Sequence, residues 1–376
     1  MVENNLRADE VTGPSARPAL GRLPPYNAGI SASVARRISG KEDVICLGSN
    51  ENPYGSSPSV GAALWGLVPS RYSDPTCASL RDAISDRLGV AADRIVCGNG
   101  SEELIAALCR AYLEPTDHVL TVSPCFGLHE IEPMAAGAQV IKVPMTENLD
   151  FDVQGLVAAL ANGPKILFIS SPSNPVGQAL CEQALSRITD AVRPGTIFVL
   201  DEAYAEFISI GAPEGLANLK HRSDLHWVVL RTFSKAYGLA GLRVGYAITS
   251  NPGLARTIRA TLTPFNVNAV AQTAAVAALR DAAWMIEATT RLRHDREILA
   301  DRLRRLGLRV IPSQANFLFI DLPMDAAPVA GVLLQKGIVV KPWMETGYTN
   351  FIRVTIGTAE QNECFAQELE GAVNLR

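Results

Sequence analysis

This 376-residue chain is short of several things. It has no run of about 18 consecutive apolar residues, which excludes a membrane-spanning helix on length. Charge of one sign is nowhere concentrated. Its 34 Lys and Arg are interspersed with 38 Asp and Glu, and a net charge of −4 gives no basic footprint for nucleic acid. Seven cysteines, at 46, 77, 97, 109, 125, 181 and 364, are scattered, odd in number and free of any C-x-x-C pair. That pattern argues against a disulfide scaffold and a structural zinc site, and the cysteines read as small apolar residues. Only five histidines occur, none paired at metal-ligand spacing, so no metal is expected. The opening Met1-Val2-Glu3-Asn4-Asn5-Leu6-Arg7 lacks the basic start and apolar stretch of a secretory signal. With the cysteine usage, this points to the cytoplasm.

The chain is rich in apolar residues, at 48%, enough for one large or two medium domains. Residues 1–17, polar and dotted with Pro and Gly, read as a mobile arm. Beyond them, short and mostly β-branched runs recur: Val119–Val122, Ile166–Ile169, Ile197–Leu200, Val228–Leu230 and Val244–Ile248. Runs apolar on both faces suit central strands of a parallel sheet covered on both sides. Helical patterns at Ser79–Leu88, Glu102–Tyr112, Leu156–Leu160 and Cys181–Val192 alternate with them, which is the α/β signature. After about Thr263 the texture changes. Helices are expected at Asn268–Leu279 and Trp284–Leu306, then two alternating, half-buried strands at Asn316–Ile320 and Phe351–Ile356. The expected organisation is a large α/β domain over 47–262 and a smaller α+β domain from 18–46 and 263–376.

Ligands of open α/β sheets bind beyond the carboxyl ends of the strands. Four segments stand there: Ser170-Ser171-Pro172-Ser173-Asn174-Pro175-Val176-Gly177, Asp201-Glu202-Ala203-Tyr204, Arg231-Thr232-Phe233-Ser234-Lys235, and Gly98-Asn99-Gly100-Ser101 opening a helix. Singly, each has an ordinary explanation: a turn, a strand-end cap, a solvated amine, a surface ion pair through Arg243. Jointly they answer the needs of pyridoxal 5'-phosphate. Its aldehyde needs a lysine amine, here Lys235. Its pyridine nitrogen needs a carboxylate, here Asp201, so that the ring stays protonated and accepts electrons. Its phosphate needs a helix N-terminus, hydroxyls and a cation, which Gly100, Ser101, Thr232, Ser234 and Arg243 provide. Asn174 and Tyr204 suit the ring oxygen, and Phe126 suits the ring face. Glu102, in the first turn of the same helix, is grouped with the cofactor residues, whereas Glu202 reads as a structural carboxylate.

In order and spacing these residues resemble the fold-type-I, class I/II aminotransferases. More narrowly, the chain resembles histidinol-phosphate aminotransferases, from about Pro24 to the C-terminus. The narrower likeness is carried by Pro25-Tyr26, Leu47-Gly48-Ser49-Asn50-Glu51-Asn52-Pro53-Tyr54-Gly55, Arg71-Tyr72-x-Asp74-Pro75, Ser313-Gln314-Ala315-Asn316-Phe317 and Arg353-Val354-Thr355-Ile356-Gly357-Thr358. The resemblance implies that Lys235, Asp201 and Tyr204 are catalytic, and that Lys235 shuttles the proton of the donor's α-carbon. It also implies a homodimer in which Tyr72 reaches the neighbouring subunit's cofactor phosphate. On the substrate side it implies Tyr26, Asn52, Asn174, Asn316, Lys341 and Arg353, the last gripping an α-carboxylate or the phosphate that replaces it. The reaction implied is L-histidinol phosphate plus 2-oxoglutarate to imidazole-acetol phosphate plus glutamate, a step of histidine biosynthesis. Three positions depart from the family pattern: Lys341 for Arg, Phe126 for Tyr, and Val176 for Thr. An aromatic amino acid aminotransferase shares nearly all the motifs, and a threonine-phosphate decarboxylase shares the scaffold. A DNA-binding regulator would need a basic domain before residue 40, and a nicotinamide dehydrogenase would need a G-x-G-x-x-G after the first strand.

Overall fold

The computed structural model describes residues 15–209 and 215–374. Most of the arm expected over 1–17 therefore lies outside the described residues; Arg17, at its end, donates to the Ala135 carbonyl. Thirteen strands occur among the described residues, in chain order β1 Ile45–Cys46, β2 Ile95–Gly98, β3 His118–Ser123, β4 Gln139–Pro144, β5 Ile166–Ser170, β6 Ile197–Asp201, β7 His226–Thr232, β8 Gly245–Thr249, β9 Arg309–Val310, β10 Phe317–Asp321, β11 Ile338–Val339, β12 Lys341–Pro342 and β13 Phe351–Thr355. Seven of them form one sheet in the order β2-β8-β7-β6-β5-β3-β4.

Strands β5, β6 and β8 are buried at every position, as their uninterrupted apolar runs require. Side chains alternate between the two faces. Leu167, Ile169, Phe198, Leu200 and Val229 enter one core cluster. Ile166, Phe168, Val199, Val228 and Leu230 enter a second, together with Leu104 and Leu108 of the helix Gly100–Tyr112. Neighbours β4, β3, β5, β6 and β7 are parallel. The Val244–Ile248 run departs from the expected parallel sheet, because β8 runs antiparallel to both β7 and β2. The reason is local: a parallel return needs a crossover helix, and residues 233–244 hold only a single turn, Ala240–Leu242. The strands β2 and β4, absent from the sequence reading, complete the two edges.

A second sheet has the order β12-β13-β10-β9, all antiparallel, and β1 pairs with β11 alone. The strands expected to be half-buried are buried almost throughout. The polar members of β13 face the interior: Arg353 donates to the Gly48 carbonyl, and Thr355 Oγ1 lies 3.2 Å from Asn50 Oδ1. Alternation in this strand marks a wall of the site. The long helix Ala282–Arg305 buries Leu292, Leu299 and Leu303 beneath it. The cysteines are all free, with 77, 97, 109 and 125 buried. No described helix is long and apolar enough to cross a membrane, and no described cluster could hold a metal ion.

Candidate active site

A cavity of about 690 Å³ opens at the carboxyl edge of the seven-stranded sheet, with one wall from the smaller sheet. Lys235 reaches it from the 233–244 connection. Buried Phe233, Ala236, Tyr237 and Leu239 fix the backbone there, and Leu239 N donates to the Phe233 carbonyl at 3.0 Å. Lys235 Nζ donates to the Ser49 carbonyl at 2.8 Å. Burial, and then the Arg353 charge, lower its pKa from 10.5 to about 8. The amine is therefore far closer to its nucleophilic form at neutral pH than a surface lysine.

Asp201 ends β6 in register with Ser170 and Leu230 on its neighbours. Its Oδ1 accepts from Ala203 N at 3.1 Å, and its Oδ2 lies 3.2 Å from Nε2 of His129. His129 is buried, stacked on Phe168 at 5.0 Å and edge-on to Phe126 at 5.5 Å. A polar ring wedged between aromatics holds the carboxyl in one orientation. The sequence reading missed it: one histidine in a helix carries no spacing signal, and its partner lies 72 residues away.

Burial pushes the Tyr204 phenol up to about 12, so it keeps its proton at neutral pH. Its oxygen accepts from Asn50 Nδ2 at 2.8 Å, which leaves the hydroxyl hydrogen free to donate into the cavity. Asn50, with φ of 56°, and Ser49 are the second and third residues missed; both lie inside a motif already singled out, in which residue type alone does not mark them. Asn174 Oδ1 accepts from Arg353 Nη1 at 2.6 Å, so the amide's two donors point away from that arginine.

Around the N-terminus of the helix Gly100–Tyr112 a hydroxyl-lined cradle forms. Thr232 Oγ1 and Ser234 Oγ are 3.0 Å apart, and Arg243 Nη1 is 3.4 Å from Ser234 Oγ. Arg243 Nη2 bonds Glu102 Oε2 at 2.7 Å. Gly100 has φ of +80°, and a Cβ there would lie 2.5 Å from Arg243 Nη2, so only glycine fits. Ser101, Glu102, Thr232, Ser234 and Arg243 all line the cavity, as does Phe126. Glu202 lies away from this chemistry, buried in an ion pair with Arg231 at 2.8 Å.

On the opposite wall, Lys341 and Arg353 are cross-strand partners on β12 and β13. Both line the cavity. Burial, and then Arg353, lower Lys341 to about 8; its ammonium donates to the Asn27 carbonyl. Arg353 is buried, and its Nε has no partner among the described residues. An unpaired buried donor of this kind is costly unless an acceptor reaches it, and an anionic oxygen would be a suitable one. Tyr26, 48% exposed, lies at the rim against Gly127.

Four predicted residues stand outside the cavity lining: Gly100, beneath Arg243 as above, and Asn52, Asn316 and Tyr72. Asn52 spends its amide on the Ala236 carbonyl and the Tyr54 N–H, bracing the residue after Lys235. Asn316 donates to the Asn50 carbonyl, with its Oδ1 buried and unpaired. Tyr72, 84% exposed, stacks on Phe265 at 4.5 Å.

The residues present suit pyridoxal phosphate. A lysine close to neutral, a buried acid, a glycine-floored anion cradle and two phenol- or amide-type donors meet in one cavity. Residues 42–369 match the family model described as aminotransferase class I and II. Histidinol-phosphate aminotransferase 3 of Rhizobium meliloti (strain 1021) is 39% identical over 94% of this chain and 96% of its own. Histidinol-phosphate aminotransferase 1 of Mesorhizobium japonicum is 39% identical over 96% of each. The crystal structure of histidinol-phosphate aminotransferase from Sinorhizobium meliloti in complex with pyridoxal-5'-phosphate has a TM-score of 0.86 at 26% identity, covering 95% of this chain and 96% of that one.

Proposed function

We propose a donor and a division of labour from one premise: this chain belongs to the class I and II aminotransferases. It is a fold-type-I enzyme of that family, and its cofactor is pyridoxal 5'-phosphate. The donor is L-histidinol phosphate and the acceptor 2-oxoglutarate, giving imidazole-acetol phosphate and L-glutamate. The observation that carries this is the pair of cations on the smaller sheet. Arg353 and Lys341 stand side by side with a buried donor unspent. That is more positive charge than a single α-carboxylate calls for, and it suits a phosphate dianion. The names of the relatives above agree with it.

When bound, the cofactor supplies an electron sink for the charge left as the donor's α-proton departs. The protein does the rest. Lys235 Nζ, uncharged above about pH 8, takes that proton and returns it on the other side of the transfer. Asp201 accepts from the ring N–H, and His129 keeps its carboxyl in place. Tyr204 and the free donors of Asn174 bind the ring oxygen. Gly100, Ser101, Thr232, Ser234 and Arg243 hold the cofactor phosphate, with Glu102 orienting the arginine, and Phe126 covers the ring. Arg353 and Lys341 bind the donor's phosphate and, in the second half-reaction, a carboxylate of the acceptor, and Tyr26 closes the rim. The enzyme works as a cytoplasmic homodimer in which Tyr72 serves the neighbouring site. The large unit spans 47–262, and the smaller one 18–46 with 263–376.

The test is a half-reaction screen that follows loss of the visible cofactor band. Histidinol phosphate is expected to outpace phenylalanine and tyrosine by at least about tenfold. A preference for phenylalanine would move the assignment to an aromatic amino acid aminotransferase.

A further inference from the structure

We propose, resting on the donor assignment above, that Glu130 and Glu345, held by Lys142, form the subsite that reads a heteroaromatic N–H on the donor's side chain. The three groups come from three elements: the helix Leu128–Ala136, strand β4, and the segment following β12. Lys142 Nζ lies 3.1 Å from Glu130 Oε2 and 3.1 Å from Glu345 Oε1. Ser123 Oγ adds a bond to Glu345 Oε1 at 2.9 Å, and Trp343 Nε1 lies 3.4 Å from Glu345 Oε2. All three side chains are 20–29% exposed and line the catalytic cavity. Two carboxyl groups thus share one ammonium. Glu130 accepts through Oε2 alone among the described residues, so its other oxygen is unspent.

Place decides what this cluster can do. Lys142 lies on edge strand β4, and Asp201 ends β6, with β3 and β5 between them. Three inter-strand steps separate them by about 14 Å. The cluster is therefore not among the groups that touch the reacting carbon. Lys142 also belongs to the seven-stranded sheet, whereas Lys341 and Arg353 belong to the smaller one. Burial lowers the Lys142 pKa, but Glu345 and Glu130 outweigh it, whereas Arg353 is the charge that acts on Lys341. The cavity lining thus holds both the cation pair Lys341 and Arg353 and this acid-rich cluster, together with the aromatic side chains of Phe126 and Trp343.

A donor that fills it carries an anion at one end and a hydrogen-bond donor at the other. An imidazole offers one N–H, and an imidazolium two with a charge. A phenyl ring offers none, and would leave the second Glu130 oxygen covered and unpaired. Sites built to bond an N–H reject the analogue that lacks it.

Histidine and phenylalanine differ only in that ring, so their half-reaction rates on the holoenzyme isolate the effect from the phosphate. The wild type is expected to favour histidine. Glu130→Gln and Glu345→Gln are each expected to lower the histidine-to-phenylalanine ratio of kcat/KM by about tenfold or more. The intact visible band reports that each variant is folded and loaded. A spectral titration for the dissociation constants of the two amino acids gives a second reading of the same ratio. A ratio that stays put while both rates fall marks the cluster as a strut and overturns the proposal. Comparison of histidinol phosphate with histidinol on the wild type tests the donor assignment separately, because it varies the phosphate and not the ring.

Discussion

Lys235 titrates in a range where its environment, and not its type, sets the charge, and that has two measurable consequences. An ordinary lysine near 10.5 is uncharged to about one part in a thousand at pH 7.5. At about 8, the uncharged share is about one quarter, a gain of some two hundredfold or more. Capture of pyridoxal phosphate by the apoenzyme, followed in stopped flow at the visible band, is expected to rise tenfold per pH unit and level off near pH 8. Stability follows the same proton. Below about pH 8 both folded and unfolded chains carry it; between about 8 and 10.5 only the unfolded chain does. Unfolding then becomes harder as pH rises, by about 3 kcal/mol in all. Lys235→Met lacks this contribution, while Lys341, lowered to a similar value, contributes equally to both proteins and cancels. In urea melts of the apo-proteins, the wild type is expected to gain about 3 kcal/mol on the variant between pH 7.5 and 10.5. A capture rate still climbing at pH 9.5, with stability curves that run parallel, would refute the reasoning.

Four further outcomes are expected. Asp201→Asn should still bind cofactor yet lose most turnover, because the ring loses its proton-holding partner; near-normal single-turnover rates would reject that role. His129→Phe keeps the stack on Phe168 but drops the bond to Asp201, and kcat should fall by about 10- to 100-fold. An unchanged kcat would make the histidine mere filling. Gly100→Ala puts a methyl 2.5 Å from Arg243 Nη2; equilibrium dialysis should show cofactor affinity weakened by at least about tenfold. Glu202→Gln breaks a buried ion pair, and calorimetric or urea unfolding should register a loss of about 3 kcal/mol or more.

The central strands were legible because a strand covered on both faces must be apolar at every position, as Ile166–Phe168 and Ile197–Leu200 are. Direction was not: nothing in Val244–Ile248 says that it returns antiparallel, since that follows from the short 233–244 connection. The residues at strand ends were readable by type, since lysine, acid and hydroxyls in fixed order have few alternative uses. Asn50 and Asn52 could not be told apart by type. Backbone conformation separates them, with φ of 56° turning Asn50 toward Tyr204. His129 was invisible because its meaning lies in a contact across 72 residues. In β13 the alternation was read correctly and its direction was not, because the polar side of that strand faces ligand space instead of water.

The lysine and much of the coenzyme's phosphate grip ride on one short excursion between β7 and β8, while Arg353 and Lys341 belong to a different sheet altogether. On the proposed roles, retention of the vitamin and choice of amine would rest on separate scaffolds that meet where Arg353 bonds Asn174. Drift in the smaller sheet that spares Arg353 would then retune which metabolite is accepted without loosening the prosthetic group, whereas a change at Arg353 itself would reach the lysine and Asn174 as well.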